Sequence, residues 1–530
     1  MINILIKLSD RQLLILLIII SIFYRLIIYF FYGNAHFSIN ENEIYNYEIL
    51  NNLTKILNII HTKPAGFILR DYLFIMTSNY LNLSYIITRF LFQNFLHLLC
   101  LIMLFSILVH TFSINKYFSL FILIIYSLSI VVFEYWRYSG HFDHFNIFLI
   151  VALMYFSLFV IDKSLTIFNT VGLILIIYFF NLFYTISIIP IGISIIFIGF
   201  NIFYKTNKIK QFTLLSIICI SFFTSYALLC KKNFNNFNLP FSSTVQGQNS
   251  LQFSISNKFI SSNDFINFID RGNYPNWYKI CAKNAHNKFN DYQSIIYGEC
   301  VFKEKDGERL YKFDTDFLEF IYDNSPIYIQ NHILKDLSHI KTSEFVLMNF
   351  GVSESNLFFS AEYGKISKKV SRDLQIKFPF NSFLDNFYSS IDYLIFDGSY
   401  FFQGNDYEPQ LINLPYIHNI FGRFIGIFLH LGTIFALIYF FHSIIKYPSQ
   451  IIRSKKLKFN DIFNVIKKNS LFIYILTNMI ALIFALSLST CCENARMFVI
   501  ISPLSLVAFC YLYKNINFLG YLSNGSAEKN

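Results

Sequence analysis

The stretch QLLILLIIISIFYRLIIYFFY, residues 12–32, decides the fold class. At the rise of an α-helix it is about 30 Å long, the thickness of a bilayer's hydrocarbon core. It exceeds a signal-peptide core and no small-residue cleavage site follows it, so it is expected to remain as an anchor. Outward from it, apolar stretches of spanning character fall near 84–112, 117–135, 144–162, 167–184, 185–204 and 211–229. They resume near 418–441, 471–489 and 497–513. Phe67 to Tyr80 is apolar but shorter, suiting an interfacial or re-entrant helix. The expectation is an all-α polytopic membrane protein with about ten transmembrane helices. Between Lys231 and Ile417 hydrophobicity collapses. That insertion mixes strand-like aromatic pieces with helical ones such as Phe317 to Leu337, and is expected to be an α+β extracytoplasmic domain. The chain thus divides into a membrane domain, 1–230, the insertion, 231–417, and C-terminal helices with a tail, 418–530.

Composition agrees. Of 530 residues, 55% are hydrophobic and 14% charged, against about 25% charged in soluble proteins. The net charge of +10 reads as topological bias, because basic residues gather in short loops. With the N-terminus inside, Lys7, Arg11, Lys116, Lys163, Lys205, Lys208 and Lys210 fall on the cytoplasmic face, as do Arg453 to Lys458 and Lys467 with Lys468. Residues 33–83, 136–143, 230–417 and 490–496 then lie outside; Lys231 and Lys232 run against the bias. No glycine-rich phosphate loop, zinc spacing or basic–aromatic stripe points to nucleic acid. Of the eight cysteines, Cys100, Cys219 and Cys510 read as small hydrophobes within spans. Cys281 and Cys300 are placed to pair in an oxidising compartment. Asp314-Thr315-Asp316 lacks the surroundings of a nucleotide site, and no metal site is assigned.

Candidate chemistry concentrates in the first outer loop, 33–83. Asn40-Glu41-Asn42-Glu43 opens an amphipathic helix in which Ile49, Leu53, Ile56, Leu57 and Ile60 recur at helical spacing until Pro64. Such a helix lies in the membrane interface. Glu43 stands three residues after Asn40, the spacing of a capping pair. A carboxylate at a helix start also suits a base for an acceptor hydroxyl, and Glu41 and Glu43 are both candidates. Lys63 and Arg89 follow at the outer interface. Cations there either snorkel towards headgroups or bind the phosphate of a lipid carrier through charge-assisted hydrogen bonds.

In their order, Asn42-Glu43-x-Tyr45-x-Tyr47, Asn52-Leu53, Lys63-Pro64 and Ser84-x-x-x-x-Arg89 resemble the GT-C membrane glycosyltransferases. The closest branch is that of the aminoarabinose transferases and protein O-mannosyltransferases. Where that family has an acidic pair, this chain has Asn42 and Glu43, with Glu41 as a substitute. The resemblance extends to Arg137, Asp143 and His144 in the second outer loop. It also reaches Ser325-Pro326-Ile327-Tyr328, and Glu493 to Arg496 ahead of Ser502-Pro503. It covers much of 10–160 and 490–515, and little of the insertion.

The resemblance implies an inverting transfer of sugar from a polyprenyl-phosphate-linked donor to a hydroxyl of a lipid, glycan or protein acceptor. The reaction would run on the outer face of a membrane, expected to be a bacterial inner membrane. Glu43 or Glu41 would be the base; Lys63, Arg89 and Arg496 would neutralise the leaving phosphate. No cofactor is required, although a divalent ion is compatible. Rival expectations are an O-antigen-type polysaccharide polymerase or ligase and a membrane transporter.

Overall fold

The computed structural model describes residues 8–36, 66–128, 143–183, 186–203, 207–237, 259–276, 278–280, 282–283, 302–305, 308–313, 354–392, 470–487 and 501–514, with 251, 431–432, 434–435 and 438. These residues are mostly helical. In chain order the helices are α1 (Asp10–His36), α2 (Gly66–Leu81), α3 (Tyr85–Ser106), α4 (Lys116–Leu128), α5 (Asp143–Asp162), α6 (Ile167–Phe183), α7 (Ile188–Ile202) and α8 (Lys208–Phe237). The insertion contributes α9 (Ser262–Arg271), α10 (Glu354–Lys377) and α11 (Pro379–Asp392). Then come α12 (Ser470–Ser487) and α13 (Ile501–Lys514). Phe302–Lys305 pairs antiparallel with Glu308–Phe313 as a short ladder.

Among the described residues, three helices are long and apolar enough to cross a membrane: Ile87–Thr111, Phe145–Asp162 and Lys208–Lys231. Shorter apolar helices coincide with α4, α6, α7, α12 and α13. α1 is 27 residues long, about 40 Å at helical rise. The outward faces carry large apolar side chains: Ile19 (57% exposed) and Phe23 (65%) on α1, Ile220 (62%) and Phe223 (67%) on α8. In water such surfaces would be a liability. In lipid they are the ordinary solvent-facing side.

Inside, one apolar cluster joins the helices, with Leu101 and Leu104 of α3, Val151 and Leu158 of α5, Phe180 of α6, Ile475 and Met479 of α12 and Val507 of α13 all buried. Because lipid is as apolar as leucine, hydrogen bonds and close packing must select the partners. Gln211 of α8 clasps the backbone of Leu165 with both ends of its amide, at 2.8 and 2.9 Å. Asn181 of α6 donates to Ser225 of α8 at 2.7 Å, and Ser187 donates to Asn181 at 2.7 Å. Ser194 of α7 meets Tyr474 of α12 at 2.8 Å. Each such bond contributes about 0.6–2 kcal/mol.

Close packing shows at Gly172, where a Cβ would fall 2.7 Å from the Phe156 ring of α5. Gly172→Ala is therefore expected to cost about 1–3 kcal/mol, read as a lower thermal midpoint in detergent. An unchanged midpoint would mean that Phe156 swings aside freely.

Several contacts fix which helix ends lie together. Lys116, at the start of α4, donates to the Leu8 carbonyl at 2.7 Å and pairs with Asp10 at 3.4 Å. Lys514, ending α13, donates to the Phe112 carbonyl at 2.8 Å. The N–H of Phe112 donates to the Ile107 carbonyl at 3.0 Å and closes a π-helical turn, Ile107–Thr111, which continues α3. The starts of α1 and α4 and the ends of α3 and α13 thus share one end of the bundle. At the opposite end an aromatic ladder runs from Phe74 (α2) to Phe92 (α3), Phe145 (α5) and Phe183 (α6), with centroids 5.2, 5.6 and 4.5 Å apart. Asn82, at φ 51°, makes the sharp turn between α2 and α3, a conformation that Asn tolerates.

The described part of the insertion has its own small core. Phe265, Phe268 and Ile269 of α9 are buried with Tyr278 and with Ile366, Val370 and Leu374 of α10. Ser261 caps α9 and donates to Asp264 at 2.6 Å. Tyr274 donates to Asp373 of α10 at 3.2 Å. Burial, then the Asp373 charge, raises the Tyr274 phenol above its ordinary pKa, so it stays a donor.

Candidate functional site

A transmembrane helix can carry polar side chains only where they face other protein or a cavity. α3 carries a row of them. Thr88, Arg89, Gln93 and His97 are 5%, 6%, 2% and 1% exposed. Arg89, Gln93 and His97 stand four residues apart, so they line one face. Ser84 caps the helix by accepting from the Ile87 amide at 3.2 Å, which sets Arg89 within its second turn. His97 lies about 12 Å deeper than Arg89 along the axis.

A second arginine meets this helix from α1. Arg25 is 3% exposed, and its Nη1 donates to Asn94 Oδ1 at 2.6 Å. Asn94 in turn donates to the Phe90 carbonyl at 2.7 Å, which holds its oxygen towards the guanidinium. One turn from Arg25, Ser21 meets Ser127 of α4 at 2.7 Å, and Ser127 lies 3.3 Å from His97 Nε2. The neighbouring Tyr126 reaches Ser502 of α13 at 3.1 Å. A polar layer therefore crosses α1, α3, α4 and α13, in helices that are otherwise apolar.

Two guanidiniums, both rich in donors, thus lie inside the bundle. Such an arrangement suits an anionic group approaching from the end where α3 begins. Phe145, stacked on Phe92 at 5.6 Å, brings the start of α5 to that same end.

Of the residues singled out from sequence, Arg89 is placed here, buried on α3. Asp143 and His144 begin α5, with only their backbone described. Glu41, Glu43, Lys63, Arg137 and Arg496 lie outside the described residues, as do Cys281, Cys300 and Asp314 to Asp316. Among the described residues no group of three His, Cys, Asp or Glu is arranged to hold a metal. Arg25 and His97 escaped the sequence reading. The available signal was a lone arginine within residues 12–32, whose burial at a helix centre costs about 2.5–3.5 kcal/mol unless something draws it inward.

No protein-family model, curated protein or solved structure matches the chain.

Proposed function

We propose that the chain is a multi-pass membrane glycosyltransferase of GT-C type, with about ten spans, acting outside a bacterial inner membrane. It moves sugar from a polyprenyl phosphate to a hydroxyl of a lipid, glycan or protein. The observation that carries this reading is Arg89, buried near the start of α3, with Arg25 hydrogen-bonded to the same helix. In this scheme Glu41, Glu43 and Lys63 of the first outer loop act together with Arg89.

Chemically, a polyprenyl phosphate leaves as a weakly basic anion, so cations matter more than a general acid. Arg89, with Lys63 and Arg496, neutralises the departing phosphate. Glu43, or Glu41, accepts the proton of the attacking hydroxyl. A single displacement with one base inverts the anomeric centre, unlike the two-step route through a covalent sugar.

The test is transfer of radiolabelled sugar from a polyprenyl-phosphate donor by the full chain in proteoliposomes. Label that stays on the donor with lipid, glycan and protein acceptors alike would reject the reading. Within it, Lys63→Ala is expected to raise the apparent KM for the lipid donor about tenfold, about 1.4 kcal/mol of lost phosphate binding. An unchanged KM would remove Lys63 from the phosphate site.

The depth of Arg25 and His97 favours a second reading, a transporter of anionic solutes, since transport sites lie near the membrane midplane. Counterflow of labelled sugar phosphates in the same proteoliposomes, without cleavage of the lipid donor, would select it. A polysaccharide polymerase or ligase would instead join lipid-linked oligosaccharides, visible as a ladder of products.

A further inference from the structure

α10 ends at Lys377 and α11 begins at Pro379. The residue before a proline is held out of helical geometry, so Phe378 marks an elbow between them. The inner side of the elbow is well packed. Leu374 is fully buried, Phe378 lies against Phe268 at 6.4 Å, and Asn381 donates to the Phe259 carbonyl at 2.7 Å. Its outer side is the reverse. Ile376 is 72% exposed, Phe380 69% and Phe383 62%. Two phenylalanines and an isoleucine projecting from one corner form an apolar tip.

What surrounds the tip identifies its partner. α11 packs directly against α12, an apolar helix of the bundle. α11 has 14 residues, about 20 Å of helix, so the tip stays within that distance of α12. α10 packs against α8, one of the helices able to cross the membrane. The last turns of α10 carry Lys365, Lys368, Lys369, Arg372 and Lys377 against a single carboxylate, Asp373; Lys369 donates to the Asn273 carbonyl at 2.9 Å, Lys377 lies over the Phe268 and Phe378 rings, and Arg372 pairs with Asp373 at 3.4 Å. Exposed aromatic side chains at the end of a helix of net positive charge, held beside apolar helices, match the interface of a bilayer with anionic headgroups.

We infer that the α10–α11 elbow dips into the headgroup layer of the membrane the chain spans, with Ile376, Phe380 and Phe383 in lipid. The elbow fixes the described part of the insertion at the bilayer surface. This contact does not depend on glycosyl transfer and is tested without substrate.

The experiment uses full-length Phe380→Trp, and separately Phe383→Trp, in vesicles containing phosphatidylglycerol. Their fluorescence is compared with the parent, whose Trp136 and Trp277 set the baseline. Both positions are exposed, so the substitutions leave the core intact. The added emission is expected to be blue-shifted and quenched at least twofold more by lipids brominated near the headgroup than by iodide in the water. Emission typical of water, quenched by iodide and untouched by brominated lipid, would overturn the inference. So would blue-shifted emission that neither quencher reaches, since the tip would then be covered by protein, whether this chain or a second copy.

Discussion

Glu43→Gln is expected to lower sugar transfer by about 10²–10⁴-fold, the usual contribution of a positioned general base. The substitution keeps the size of the side chain and its capacity to cap a helix from three residues beyond Asn40, because glutamine also serves that role. Membrane insertion and thermal midpoint should therefore match the parent. The loss belongs in kcat, since the acceptor's proton moves only as the bond forms. Glu41→Gln supplies the control, because Glu41 is the other candidate acid. Full activity in Glu43→Gln with loss in Glu41→Gln would transfer the role by two positions. Full activity in both would end the assignment of a base to the first outer loop.

Arg89→Ala is expected to cost about 10²–10³-fold in kcat/KM for the lipid donor, the loss on removing one donor from a preorganised anion site. Arg89 is 6% exposed, so a structural explanation has to be separated from a functional one. Removing one member of a buried charged contact can itself cost about 3–5 kcal/mol of stability. Arg89→Met, which keeps bulk, should lose transfer by far more than the fall in its thermal midpoint explains. Arg89→Lys restores the charge without the planar fork and should recover only part of the activity. A midpoint that falls in step with activity across all three variants would make Arg89 a structural residue.

The apolar helices were legible because a long apolar stretch is written in composition over many residues. The stretches near 84–112, 144–162, 167–184, 185–204 and 211–229 reappear as α3, α5, α6, α7 and α8. Those near 471–489 and 497–513 reappear as α12 and α13. The shorter apolar stretch from Phe67 to Tyr80 is α2, packed on α3 and α6. Cys100 and Cys510 are buried, as expected of small hydrophobes. The face of each span was not legible. Nearly every position in α1 is apolar, so no period marked Arg25 as inward, and only its meeting with Asn94, 69 residues later, does so. The row Arg89–Gln93–His97 was written at helical spacing, yet its significance came from burial. The insertion resisted for another reason. Its core joins α9 and the segment after it to α10 across a long separation, as in the Tyr274–Asp373 contact, whose partners stand 99 positions apart. Local propensity carries no trace of such pairing.

The long reach of the polar layer has a consequence for biosynthesis. Arg25 needs Asn94, and Ser21 needs Ser127, 106 positions downstream. A ribosome adding 5–20 residues per second delivers these partners roughly 3–20 s after the first helix leaves the exit tunnel. During that interval a guanidinium must wait in the translocon or at its lateral gate. The nascent first helix should accordingly remain extractable by alkali until the fourth has emerged, and become resistant only then.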